Sequence, residues 1–284
     1  MGRPGPASAA WGAMIDLLPV HGRVACAVCH DAASDFDAVA AGTPYWRIRA
    51  NPLSWGSAQP EVLVLGFSKG PTQAGDLART EHDRVAFKGQ RVWVGRILAR
   101  LGLIDSVEDT AAMTRMVDDM IADRDGRFAF GSLVRCTVER FDGIAWKGTG
   151  GDMLGGFVSS DFGRRIAGNC ARRHLGRLPA STRLVVLMGT GSRGNYVDAA
   201  ERLIREARDF PSTWRRINAV AYGDDATTFV HTVHFAAQGR LRGDWFGQTR
   251  NDGSPADRTA VEWARLAAEA AAQAVDRPRD QDAA

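Results

Sequence analysis

Four cysteines carry the most chemistry in this chain. Cys26 and Cys29 form a C-x2-C pair, and Cys136 and Cys170 follow far downstream. Met1 to Leu18 lacks a basic start followed by a long apolar block, so it does not read as a secretory signal. The expected location is a reducing cytoplasm, where this pattern points to metal or cluster ligation rather than disulfides. Two thiolates on one short turn can hold the same centre, and two more complete a four-thiolate shell. That shell suits tetrahedral zinc or a [4Fe–4S] cluster, and the spacing leaves both open. It also leaves open that some of the four are ordinary buried thiols. Arg-rich clusters stand at Arg164-Arg165, Arg172-Arg173, Arg215-Arg216 and Arg240/Arg242. They suit bidentate phosphate contacts or simply solvated helix faces.

The elements that must position these residues follow from hydrophobic patterning. Glu61 to Gly66, Phe128 to Cys136, Arg183 to Gly189 and Thr227 to Phe235 are short apolar runs and predict buried strands. Ile217 to Tyr222 predicts a further strand before a Gly223-Asp224-Asp225 turn. Helices are expected over Ala10 to Leu18, Val92 to Leu103, Val107 to Ala122, Arg164 to Leu178, Val197 to Arg208 and Arg258 to Val275. Ser34 to Ala41 reads as loop or short helix. Strands that are continuously apolar and alternate with helices predict a three-layer α/β/α fold with a central, mostly parallel sheet. Its site belongs at the C-terminal strand ends. One domain is expected over 10–275, with a Gly-rich insertion near 142–163. Residues 1–9 and 276–284 are expected to be flexible. The 36 basic and 33 acidic residues give a formal charge of +3, too mild to imply nucleic acid alone. A hydrophobic share of 45% and a charged share of 24% exclude wholesale disorder. No apolar run reaches the roughly 18 residues that a membrane span needs.

In order, the motifs are Cys26-Ala-Val-Cys29, Gly66-Phe67-Ser68-Lys69-Gly70, Gly89-Gln-Arg-Val-Trp93-Val94-Gly95, and Phe130-Gly131-Ser132-Leu133-Val134-Arg135-Cys136. Then come Cys170 within a helix, Val185-Val186-Leu187-Met188-Gly189, and His234-Phe235-Ala236-Ala237. Over roughly residues 20–240 this order resembles the uracil-DNA glycosylase superfamily, in its iron–sulfur branch (family 4, with family 5 close by). The resemblance implies a uracil-DNA glycosylase-like fold and a [4Fe–4S] cluster on Cys26, Cys29, Cys136 and Cys170, with zinc as the alternative. It implies a base pocket from Gly66, Phe67, Trp93 and Ser132. Trp93 would stack on the base, and Ser132 stands where the family has a base-reading Asn. Phe67 stands where the family has a water-assisting carboxylate. DNA would be the partner, damaged in a base, and the protein is expected to be a monomer.

Breaking the glycosidic bond needs the nucleotide flipped out and a donor aimed at the departing base oxygen. His234 is the expected donor, with His231 close enough in sequence to be its rival. Ser68 and Asp76 complete the catalytic candidates. Asp76, Glu81 and Asp83 follow the first loop and could replace the missing carboxylate. Lys69 and Gly70 sit at a strand end, where a cation and N–H groups receive phosphate. Arg140, Gln238 and Arg240 complete the expected DNA contacts. A hydroxyl at Ser132 both donates and accepts, so altered or broadened base specificity is expected. The rival readings are a non-catalytic binder of damaged or single-stranded DNA and a zinc-stabilised nucleotide hydrolase.

Overall fold

The structure is a computed structural model that describes residues 18–31, 34–70, 77, 80–148, 152–191, 195–237 and 240–277. The expected helix over Ala10 to Leu18, apart from Leu18 itself, and the residues Asp76 and Gln238 lie outside the described residues. So do both expected flexible ends, apart from 276–277.

An eight-stranded sheet runs in the order β1-β4-β6-β5-β9-β12-β11-β10. Its centre is β6 (Phe128–Ser132), β5 (Val62–Gly66), β9 (Leu184–Met188) and β12 (Thr228–Thr232), all mutually parallel. These strands are buried at every position, which is why they read as unbroken apolar runs. The outer strands are antiparallel: β1 (Gly22–Arg23) and β4 (Leu53–Gly56) on one side, β11 (Ala221–Gly223) and β10 (Arg215–Asn218) on the other. The sheet is therefore mixed, parallel only at its centre. The single strand expected over Ile217 to Tyr222 is instead the end of β10 and the start of β11, because the chain reverses at Ala219 and Val220.

Alternate strand residues face two separate cores. Leu63, Leu65, Val185 and Leu187 pack against α4 (Met153–Val158), α5 (Asp161–Leu175) and α6 (Asn195–Ala207). Val62, Val64, Val186 and Val230 pack against α2 (Arg91–Arg100), α3 (Thr110–Ala122) and α8 (Arg258–Val275). The short α1 (His82–Val85) and α7 (Arg240–Trp245) lie on this second side through Val85 and Trp245. Helix starts are fixed by side chains that accept a backbone N–H: Asp109 from Ala112 at 2.6 Å, Ser160 from Gly163 at 3.0 Å and Asp257 from Ala260 at 3.1 Å.

A second, antiparallel sheet was not expected. It runs β2 (Val39–Gly42), β3 (Trp46–Arg49), β7 (Thr137–Phe141) and β8 (Trp146–Lys147) in that order. Trp46, Ile48 and Val138 bury its inner face with Phe157 of α4. The run Phe128 to Cys136 accordingly splits. After Ser132 the chain leaves the large sheet, with Leu133 N–H donating to Gly66 O (2.8 Å) and Val134 N–H to Phe67 O (2.9 Å). It then enters β7 of the small sheet. The Gly-rich stretch 142–163 holds β8, α4 and the start of α5.

Candidate functional site

The register aligns the four central strands, so Gly66 pairs with Ser132 and Thr232 with Met188. The loops that follow all open on one sheet edge. After β12, Val233 is buried and His234 is half-buried. Ala236 N–H donates to His234 Nδ1 at 3.1 Å. Burial pushes the His234 pKa down to about 4, so the ring is neutral at pH 7 and carries its proton on Nε2. That N–H has no partner among the described residues and is a ready donor. The ring stacks on Phe235 at 4.3 Å, and Phe235 meets Phe87 edge-on at 5.0 Å. Phe235 also lies 3.9 Å from where a Cβ on Gly66 would be, so the first and last loops touch. Ser132 is buried beside them, and its hydroxyl has no hydrogen bond among the described residues.

His231, the rival, belongs to the core. It is fully buried, with Nδ1–H donating to Gly189 O (2.8 Å) and Nε2 accepting from the Tyr222 hydroxyl (2.9 Å). Gly189, at φ +144°, makes the turn that presents this carbonyl, with the Tyr196 ring 3.6 Å from a would-be Cβ.

The first loop departs from its expected role. Phe67 is buried, edge-on to Phe157 at 6.1 Å. Ser68 Oγ accepts from Val138 N–H at 3.4 Å and ties the loop to the small sheet. Lys69, expected to receive phosphate, is only 3% exposed and donates to the Arg135 carbonyl. Burial lowers its pKa to about 8. It is a buried cation and presents no charge to an outside ligand. Gly70 is half-buried at the loop's end. Of the alternative carboxylates, Glu81 pairs with Arg84 on the surface at 3.3 Å, and Asp83 meets His21 Nε2 at 2.6 Å.

The four cysteines come from three places: the Cys26–Cys29 turn, the residue before β7, and α5. Cys29 packs against the core cluster that contains Cys136 and Cys170. Its thiol feels Cys26, those of Cys136 and Cys170 feel Cys29, and Cys136 also feels Cys26. Burial raises all three shifted thiols, Cys170 to about 12. Arg135 N–H points at Cys170 Sγ (3.3 Å) and Asn169 Nδ2 at Cys29 Sγ (3.6 Å). Tetrahedral zinc at about 2.3 Å from each sulfur needs sulfurs about 3.8 Å apart. No three of these sulfurs lie within 4.8 Å of one another. The described cysteines are therefore not grouped as a metal site in this structure.

Sequence reasoning missed the cation beside Cys170. Arg135 is 1% exposed, and its Nε and Nη1 have no hydrogen-bond partner among the described residues. Burial pulls its pKa down to about 10, opposed in part by the Cys170 and Cys26 sulfurs. The guanidinium lies over Gly131, where any Cβ would collide with it. With Lys69 it makes two buried cations and no carboxylate among their close charge partners except a weak contribution to Lys69 from Asp37. The only sequence signal was an arginine at the end of an apolar run, just before Cys136.

The remaining candidates lie around this edge. Trp93, expected to stack on a base, is half-buried in the first turn of α2, and its ring carries Arg242 at 3.5 Å. Arg140 lies on β7, 6.0 Å from the Trp46 ring. Arg240 is exposed at the start of α7. Away from the edge, His21, His82 and Asp83 group within 4.8 Å. There His21 Nδ1 accepts from Gly56 N–H (3.2 Å) and His82 Nε2–H donates to Ser54 O (2.9 Å), so both rings serve β4. No helix among the described residues is long and apolar enough to cross a membrane. No family model matches the chain, and neither a curated protein nor a solved structure is similar to it.

Proposed function

We propose that the chain is a DNA glycosylase of the uracil-DNA glycosylase superfamily, acting on a deaminated or damaged base and holding a [4Fe–4S] cluster. The observation that carries this reading is the pair of buried, poorly compensated cations, Lys69 and Arg135, beside Cys136 and Cys170. A buried cation without a partner is costly, so it argues for an anionic occupant. Four thiolates around a cluster would supply that negative charge. Cys26, Cys29, Cys136 and Cys170 would hold it. The cluster would tie the N-terminal turn to the end of β6 and to α5.

His234 is the catalytic candidate. Its neutral Nε2–H can donate to the departing base oxygen as negative charge develops there. Ser132 would contact the base edge with a hydroxyl, which selects weakly between bases. A second reading, a non-catalytic DNA-binding member, is favoured by Phe67, a core residue where the resemblance has its carboxylate. Oligonucleotides carrying different deaminated bases separate the two. The glycosylase reading expects an abasic product with at least one base, lost on His234→Ala with binding retained. Binding without any abasic product selects the second reading.

A further inference from the structure

The Trp93 ring holds a guanidinium pair. Arg242 Cζ lies 3.5 Å from the ring centroid and Arg96 Cζ lies 4.8 Å from it. Two guanidiniums on one indole repel each other, and Arg96 with burial lowers the Arg242 pKa. Neither has an ion-pair partner among the described residues. The one polar contact of Arg242 is a donation to Phe235 O at 3.4 Å. Phe246 lies 6.2 Å from the Trp93 ring and braces it from α7's end. A groove of about 550 Å³ opens here, lined by Trp93, Arg96, Arg100, Phe246 and Gln248, with Glu108 as its one acid. Like charges are held together here at a cost that a bound anion removes. Arg242 reaches this groove through the Trp93 ring that lines it, and its contact to the carbonyl of Phe235, next to His234, links the arginine pair to the histidine loop.

We propose that this groove binds the phosphodiester backbone of DNA beside the flipped nucleotide, with Arg96 and Arg242 each taking a phosphate and Arg100 extending the track. The inference rests on the DNA reading above. Trp93 is then a platform for arginines and not for a base. Arginine forks match phosphate oxygens, and the indole fixes their planes in advance.

The test measures affinity for an undamaged duplex oligonucleotide by fluorescence anisotropy across a salt series, using the full chain. Each phosphate contact contributes about 0.9 to the slope of log affinity against log salt. Arg96→Gln with Arg242→Gln should lower that slope by about 2. Arg96→Lys with Arg242→Lys should keep the slope and lose part of the affinity, because charge stays and the fork is lost. Arg265→Gln, on α8 and paired with Glu262 and Glu269, should leave the slope unchanged. Circular-dichroism melts of the same samples establish that the variants are folded. A wild-type slope retained by the folded double glutamine variant overturns the groove while leaving the DNA reading intact. Absence of salt-dependent DNA binding by the wild-type chain overturns both.

Discussion

His234 and His231 stand three residues apart, and their surroundings set opposite consequences for substitution. His234→Ala should lower the excision rate by about 10²–10³-fold, the cost of one donor to a developing oxyanion. Because burial puts the His234 pKa at about 4, its ring stays neutral, with Nδ1 accepting from Ala236 N–H, well below neutral pH. Excision should stay level from pH 8 to about 5 and fall only towards pH 4, with no step near the ordinary histidine value. His231→Ala should instead cost about 2–4 kcal/mol of stability, since it opens a cavity and strips partners from Tyr222 and Gly189. Native His231 has a pKa near 4, and the unfolded ring titrates at its ordinary value. Between about pH 6.5 and 4 the unfolded chain binds a proton that the native chain refuses. Stability therefore falls on acidification through that window, by about 3 kcal/mol from this ring. Urea melts at neutral pH and near pH 4.5 measure it, and His231→Gln should lose that share of the slope. The sequence offered two histidines without saying which one faces the edge. Strand direction decides that, and only pairing partners fix it.

Arg135 makes a sharper division between two states of the protein. In the metal-free chain its unpaired guanidinium is a burden, so Arg135→Met should raise stability by about 1–4 kcal/mol. With the cluster in place the same change removes a counter-charge, and iron retention should drop. Thermal melts before and after chelation, with iron counted, separate these effects. A variant that destabilises the metal-free chain would show that the guanidinium has a partner there.

At the scale of elements, β6 is the hinge of the account. Gly131 leaves room for the Arg135 guanidinium, and Gly131→Ala should cost about 1–3 kcal/mol by overpacking and lower cluster content together. The central strands were legible because burial on both faces leaves only apolar side chains. The α8 boundaries, Arg258–Val275, were legible from Asp257 as cap and an alanine stripe at helical spacing. The small sheet was not. Its strands are two to five residues long and carry Arg47, Arg49, Glu139 and Arg140, whose charges suppress the alternating pattern, with Arg47 pairing Glu139 across it. An apolar run also carries no mark of where it changes sheet. Leu133 and Val134 continue the composition of β6 while their N–H groups turn to the first loop. The Lys69 role failed for a related reason. A lysine after a strand looks like surface charge, and its burial depends on the chain at Arg135, before β7, closing over it.

At the scale of the molecule, the parallel centre brings three chemistries to one side. The aligned ends of β5, β6 and β12 place the Gly66 loop, Ser132 and His234 together. The chain beyond β6 carries Cys136 away towards α5, into the same apolar core as Cys170, with Cys29 packed against it. A cluster there would be structural, bracing the edge from behind without touching the base. The guanidinium groove would lie on the other face, where α2 and α7 meet. The four cysteines and the two buried cations join sequence, fold and proposed activity, so what the cysteines hold decides the account. The most direct measurement counts iron and acid-labile sulfide in anaerobically purified protein, alongside its visible absorption and zinc content. A brown protein with about four irons and four sulfides per chain is the predicted result. A colourless protein with one zinc, or with four free thiols and no metal, would contradict it.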